Sequence, residues 1–208
     1  METFLGRMFA RTRNGSQGNL DSSIDAGRGL RLEPYARRHF QTWREAREAS
    51  REFLQPWEPK WRGSDTTLPE FLLRLRNDRL SRKNRSGCSF LLTLPLHGTV
   101  RGVVGGINLS NIRFGAARTA TLGYWMRREH SGKGYMALAV ESLCRNAFQQ
   151  LELERIEAAC LPENAASRRV LEKCGFHEEG YARQYLEING TRRDHLLYAR
   201  IADDSVIR

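Results

Sequence analysis

The chain has 208 residues, with 34 Lys and Arg against 24 Asp and Glu, and a net charge of +10. Its length suits one domain with enough core to fold alone. It holds no run of about eighteen apolar residues, so no helix is expected to cross a membrane. Its cysteines, Cys88, Cys144, Cys160 and Cys174, form no C-x-x-C pair, so neither a disulfide framework nor a metal site is expected.

Residues 1–29 carry Arg7, Arg11, Arg13 and Arg28 but also Glu2, Asp21 and Asp25, with too short an apolar stretch for a secretory signal. They are expected to form a disordered tail, with residues 30–208 as a single domain. Leu30-Arg31-Leu32 reads as a short first strand. Tyr35 to Leu54 reads as a helix, with Phe40, Trp43, Ala46, Ala49 or Ser50, and Phe53 along one side. A proline-punctuated loop with two tryptophans, Gln55 to Trp61, follows. A second helix is expected from Leu68 to Arg82. Strands are expected at Cys88–Leu94, Arg101–Leu109 and Ala117–Met126, with a turn at His97-Gly98. Gly105-Gly106 inside a strand suggests a bulge or a close backbone approach.

The next stretch organises the chain. The strand ending at Met126 leads to Ser131-Gly132-Lys133-Gly134. A helix to Leu151 follows, with Met136, Val140, Leu143, Ala147 and Leu151 at helical spacing. A glycine turn before a helix leaves backbone N–H groups free for an anion. Gly132 and Gly134 permit positive φ. The motif is neither a Walker loop nor a dinucleotide fingerprint, and a plain glycine-rich connection competes with the phosphate reading. A strand then runs from Arg155 to Leu161, broken by Pro162. Asn164 is placed to cap a helix that ends at Cys174, and Gly175 stops it. Cys144, Cys160 and Cys174 fall on apolar positions and read as reduced core residues of a cytoplasmic protein. Tyr181–Ile188, Asn189-Gly190 and Thr191–Ile201 form a hairpin. Asp194 and His195 could be an acid–base pair or could only complete the hairpin's polar contacts; the second reading is preferred.

Taken together, LGYWM…SGKGYM, PENAASRRVLEKCGF, EEGYARQYLEINGTRRDHLLYA and the upstream FLQPWEP resemble the Gcn5-related N-acetyltransferase superfamily, in its RimJ/RimL branch. The resemblance covers about residues 30–202. It implies an α/β (α+β) fold with a mixed, mostly antiparallel sheet, a splayed parallel strand pair and about four flanking helices. It implies acetyl-CoA as co-substrate, and direct transfer of the acetyl group to the N-terminal α-amine of a protein. In RimJ-like members that protein is ribosomal, with an N-terminal alanine.

The site residues follow from the resemblance. Main-chain groups of Tyr124, Trp125 and Met126 would hold the pantetheine. Arg127, Gly132, Lys133, Gly134, Tyr135 and Met136 would hold the phosphate end, with Asn164 and Ser167 beside the pantetheine arm. The Met126 N–H would polarise the thioester carbonyl. Ser167 would donate to the leaving thiolate, because Leu171 stands where many relatives carry a tyrosine. Trp57 and Glu58 would line the peptide groove, unless the two tryptophans only pin the loop. The base is open among Glu58, Glu187, Asp194 and a relayed water. Glu129 departs from the usual Gln or Arg before the first glycine. A small-molecule amine is an alternative acceptor, and an RNA- or ribosome-associated module that keeps only the fold is a second alternative. Arg outnumbers Lys 30 to 4, so the charge fits either loose ribosome association or an ordinary solvated surface.

Overall fold

The computed structural model describes residues 20–98 and 100–202. Its strands are β1 (Ile24–Gly27), β2 (Leu30–Pro34), β3 (Cys88–His97), β4 (Val100–Arg113), β5 (Thr119–Met126), β6 (Arg155–Cys160), β7 (His177–Ile188) and β8 (Thr191–Ile201). They form one sheet in the order β1-β2-β3-β4-β5-β6-β8-β7. Among the described residues only β5 and β6 pair in parallel. The helices are α1 (Phe40–Ala49), α2 (Arg51–Leu54), α3 (Leu68–Lys83), α4 (Tyr135–Gln150) and α5 (Ala165–Lys173). The β5–α4–β6 unit is the crossover that a parallel pair requires.

Alternation along β5 splits the molecule into two cores. Ala120, Leu122, Tyr124 and Met126 pack with Met136, Val140, Leu143 and Ala147 of α4. Trp125 points to the other face, against Trp43, Ala46 and Phe71 of α1 and α3. The apolar stripe expected on α4 is therefore the seam of the larger core. All four cysteines are free and buried.

Element ends shift from those expected, as at Phe40, Arg113 and His177, and three further features differ from the sequence reading. First, β1 forms within the stretch expected to be a tail. It pairs with β2, and Leu20 and Ala26 join the core. Residues 1–19 of the expected tail lie outside the described residues. Second, the single helix expected to Leu54 breaks at Ser50 (φ −111°, ψ 10°), which gives five helices instead of four. Ser50 is buried, and its Oγ accepts the Arg128 N–H at 3.1 Å. The break is thus tied to the loop after β5. Third, the bulge near Gly105-Gly106 falls at Val104. Leu92 pairs with Gly105 and Thr93 with Val103, leaving Val104 extra.

The two glycines serve the close approach. A Cβ on Gly106 would lie 2.4 Å from Trp125 Nε1. Gly106→Ala should therefore push the indole off β4 and destabilise the protein by about 1–3 kcal/mol. Thermal melting and tryptophan fluorescence would read this. An unchanged emission spectrum would show that the ring does not lie there.

A buried polar cluster clamps β2, β3 and the approach to α1. Glu33 accepts from Arg38 (3.1 Å), Thr93 (3.1 Å) and His39 Nε2 (2.9 Å). Burial alone would raise its pKa, but hydrogen bonds from Arg38, His39 and Thr93 outweigh it and hold the carboxyl below its ordinary value. Burial holds His39 below 6.5, so its neutral ring donates Nε2–H to Glu33. Both groups bind more protons unfolded than folded. Stability should therefore fall as pH drops below 6.5 through His39, and fall again below 4.5 through Glu33. His39→Gln keeps a donor but cannot titrate. It should flatten the decline in melting temperature between about pH 7 and 5.

Candidate active site

The turn between β5 and α4 is shaped as an anion cradle. Gly132 has φ 74° and Gly134, the N-cap of α4, has φ 82°. Among the described residues no side chain caps the helix. The first main-chain bond is Leu138 N–H to Gly134 O at 3.2 Å, which leaves the amides of Tyr135, Met136 and Ala137 outside the helix ladder. Among the described residues, a Cβ on Gly132 would meet nothing within 4 Å, so the approach is open there. Arg28, from the β1–β2 turn, donates to Lys133 O at 3.0 Å, and its guanidinium lies 5.0 Å from the Tyr135 ring centroid. The open cradle, the free amides and the flanking cations fit a diphosphate. The Met136 side chain is core, so this residue can offer only its amide. Arg127 is spent: its N–H bonds Val104 O at 2.8 Å and its guanidinium pairs with Glu129.

Beyond the cradle the parallel pair opens. Register runs from Thr119↔Arg155 to Leu122↔Ala158 and stops. On the outer flanks β4 still pairs with β5 to Met126, and β8 with β6 to Cys160. Gly123 to Met126 therefore face a wedge-shaped gap instead of a strand. Main-chain amides alternate sides along a strand. Because the Arg127 N–H turns toward β4, the Met126 N–H turns toward the gap.

Ser167 stands on the α4 side of this gap, in the first turn of α5. Asn164 Oδ1 accepts the Ser167 N–H at 3.0 Å, so the asparagine oxygen serves the helix cap. Tyr124 Oη lies 2.8 Å from Ser167 Oγ and 3.3 Å from Ser167 O. Burial drives the Tyr124 pKa far up, so the phenol stays protonated, and either hydroxyl of the pair can donate. In the arrangement where the phenol donates to Oγ, the serine's own hydrogen is free to point elsewhere. Burial also pushes the neighbouring Cys160 thiol up to about 11, with Ser167 opposing the shift.

On the opposite face, Trp125 does not reach the coenzyme side. Its ring stacks at 4.8 Å on the Arg47 guanidinium, which Trp61 covers from 4.2 Å. Arg47 binds both oxygens of Glu58 at 2.8 and 2.6 Å, and Trp61 Nε1 donates to Glu58 at 2.8 Å. Glu58 is thus a wall brace, which removes it as a free base. Trp57 is half-buried in a 3-10 turn beside it. The hairpin tip closes onto this loop through Asn189 N–H to Glu58 O at 2.9 Å. Asp194 is also committed, accepting the Tyr181 hydroxyl at 2.5 Å and the Gln184 N–H at 2.7 Å, where β7 bulges. Glu187 is exposed, opposite Arg192.

The sequence reading missed Arg28 and Arg47, and considered only the main chain of Tyr124. Local sequence carries no signal for Arg28, whose contact spans 105 positions. The phenol of Tyr124 could have been suspected, because it lies two residues before Met126 on the same strand face.

Comparison with known proteins identifies the family and the fold. A family model described as an acetyltransferase (GNAT) domain matches residues 29–177. The chain is 32% identical over 155 residues to the ribosomal protein uS5-alanine N-acetyltransferase of Escherichia coli (strain K12), covering 74% of this chain and 78% of that protein. It is 45% identical over 102 residues to the probable N-acetyltransferase YjcK of Bacillus subtilis (strain 168), covering 49% of this chain and 56% of the relative. Among solved structures, Mycobacterium smegmatis RimJ in complex with CoA-disulfide superposes with a TM-score of 0.82 at 30% identity, over 90% of this chain and 91% of that one.

Proposed function

The chain belongs to the GNAT acetyltransferase family, with acetyl-CoA as co-substrate, and from that premise we propose that it acetylates the α-amine of a protein N-terminus, in particular a ribosomal protein beginning with alanine. The observation that carries this reading is the acceptor wall, where three carboxylates are spoken for and Glu187 alone of the base candidates stays exposed. Glu58 is bound by Arg47 and Trp61, Asp194 by Tyr181 and Gln184, and Glu163 by Arg193. A polycationic drug or polyamine would call for free carboxylates there. A peptide α-amine carries one charge, and its pKa of about 7.7–8.0 leaves roughly a tenth of it neutral near pH 7. Likeness over most of the chain to a uS5-alanine N-acetyltransferase supports the same acceptor class. A net charge of +10 favours meeting that acceptor where it is bound to RNA.

In the proposed mechanism the neutral amine attacks the thioester carbonyl directly. The Met126 N–H, turned into the gap, receives the charge that develops on oxygen. Ser167, its oxygen engaged by Tyr124, donates to the departing thiolate. The thioester supplies the acetyl group; the chain positions it, excludes water and accepts charge. Buried cysteines with raised pKa values supply no acyl-carrying nucleophile. The test is a mass-spectrometric screen of N-terminal peptides with acetyl-CoA. Alanine-first peptides should dominate the acetylated products. Exclusive acetylation of small amines would overturn the acceptor reading.

Arg28 gives a separate test of the cradle. Arg28→Ala should weaken acetyl-CoA binding about tenfold, with the difference shrinking at high salt. Calorimetry at two ionic strengths measures it; equal affinities would remove Arg28 from the site.

A further inference from the structure

His195 is a titratable side chain that the mechanism above leaves without a task. It is 3% exposed. In the β6–β8 register, Cys160 pairs with Leu196 and Ala159 with Leu197, so His195 lies one residue beyond the end of β6. Leu196 and Tyr198 pack with Cys160 in the α4-side core. By alternation His195 faces the other way, on the same face as Ala159 and Trp125. That is the acceptor face, at the end of the sheet where β5 and β6 part.

Its ring is held in one tautomer. Nδ1 lies 3.0 Å from the Arg193 carbonyl oxygen. A carbonyl only accepts, so Nδ1 carries the hydrogen and the neutral ring keeps its lone pair on Nε2. Nε2 makes no hydrogen bond among the described residues. Tyr185 packs edge-on at 5.6 Å and fixes the ring plane. The charged groups around it are engaged elsewhere. Asp194 serves the β7 bulge, Arg193 pairs with Glu163, and Arg192 donates to the carbonyls of Gln184 and Tyr185. Glu58, across the closed loop, is held by Arg47 and Trp61.

We propose that Nε2 of His195 is the general base for the acceptor amine, an inference that rests on the α-amine reading above. As the amine nitrogen bonds to the thioester carbon, its surplus proton passes to Nε2. The carbon–sulfur bond breaks, the electron pair leaves on sulfur, and the Ser167 hydroxyl receives the thiolate. The imidazolium then returns its proton to water, and the thiolate is protonated to free coenzyme A.

The test uses the full chain, acetyl-CoA and an acetylatable N-terminal peptide. His195→Asn keeps a donor for the Arg193 carbonyl but lacks Nε2. It should lower kcat about hundredfold. Acetyl-CoA affinity should stay within about twofold, and the acid limb of the kcat/KM profile should follow only the peptide amine, near pH 7.7–8.0. In His195→Ala, added imidazole should restore turnover at least about tenfold, a readout that a structural role would not move. A His195→Asn enzyme that keeps the wild-type pH profile and a rate within about threefold overturns the base. So does a loss of coenzyme affinity in parallel with turnover. A wild-type enzyme that binds acetyl-CoA but acetylates no α-amine overturns the acceptor reading, and the inference with it.

Discussion

Replacing Ser167 with alanine should cut turnover about hundredfold while acetyl-CoA affinity stays within about twofold. The two readouts separate because Ser167 contributes differently to the two states. Its main-chain N–H, which makes the Asn164 cap at 3.0 Å, survives the substitution. Alanine is also the better helix former, so α5 should not suffer. The missing group is a donor to sulfur, needed only as negative charge builds on the leaving thiolate. Tyr124 sharpens the test. Its phenol, kept protonated by burial, lies 2.8 Å from Ser167 Oγ. Tyr124→Phe should lose about tenfold, and the double variant should be no slower than Ser167→Ala. A double variant slower by the product of the two effects would mean that each hydroxyl reaches the sulfur independently. Ser167→Ala with unchanged kcat would remove the residue from the chemistry.

Replacing Arg47 with methionine should have the largest effect on stability. The guanidinium is sandwiched by Trp61 and Trp125 and binds Glu58 through both oxygens. The side chains of the pair are only 12% and 20% exposed. Removing one partner leaves Glu58 with the Trp61 Nε1 hydrogen alone, at a cost of about 3 kcal/mol. For a chain of this size that lowers the melting temperature by about 6–12 °C. The peptide KM should rise as well, because the Gln55–Trp61 loop carries the Glu58 carbonyl that holds the hairpin tip. Adding Glu58→Gln removes the stranded charge and should recover much of the stability but not the peptide KM. A melting curve unchanged by Arg47→Met would show that the bracket does not brace this wall.

Several elements were legible from local sequence because their causes are local. The α4 stripe, the Pro162 break, the Asn164 cap and the Asn189-Gly190 turn are each decided within a few residues. All appear with boundaries near those expected. The helix expected from Tyr35 to Leu54 starts later, with a 3-10 turn at Arg37–His39, and it breaks at Ser50 for a non-local reason. Ser50 is pulled out of helical geometry to accept an N–H from Arg128, 78 positions away. The strand Ile24–Gly27 was missed because its composition is unremarkable. Its stability comes from β2 beside it and from Leu20 and Ala26 entering a core built by others.

The same division runs through the site. Chain order alone placed a glycine turn between a strand and a helix, and placed Ser167 three residues past a cap. Glycine's freedom at positive φ and the unpaired amides of a helix start are properties of short segments. Only the tertiary structure decided that β5 and β6 part after Leu122 and Ala158. It also decided that Tyr124 meets Ser167, that Glu58 is spent on Arg47, and that His195 lies on the sheet face opposite α4. Each of these depends on register and packing between segments far apart in the chain. A one-residue slip there would send every side chain to the opposite face.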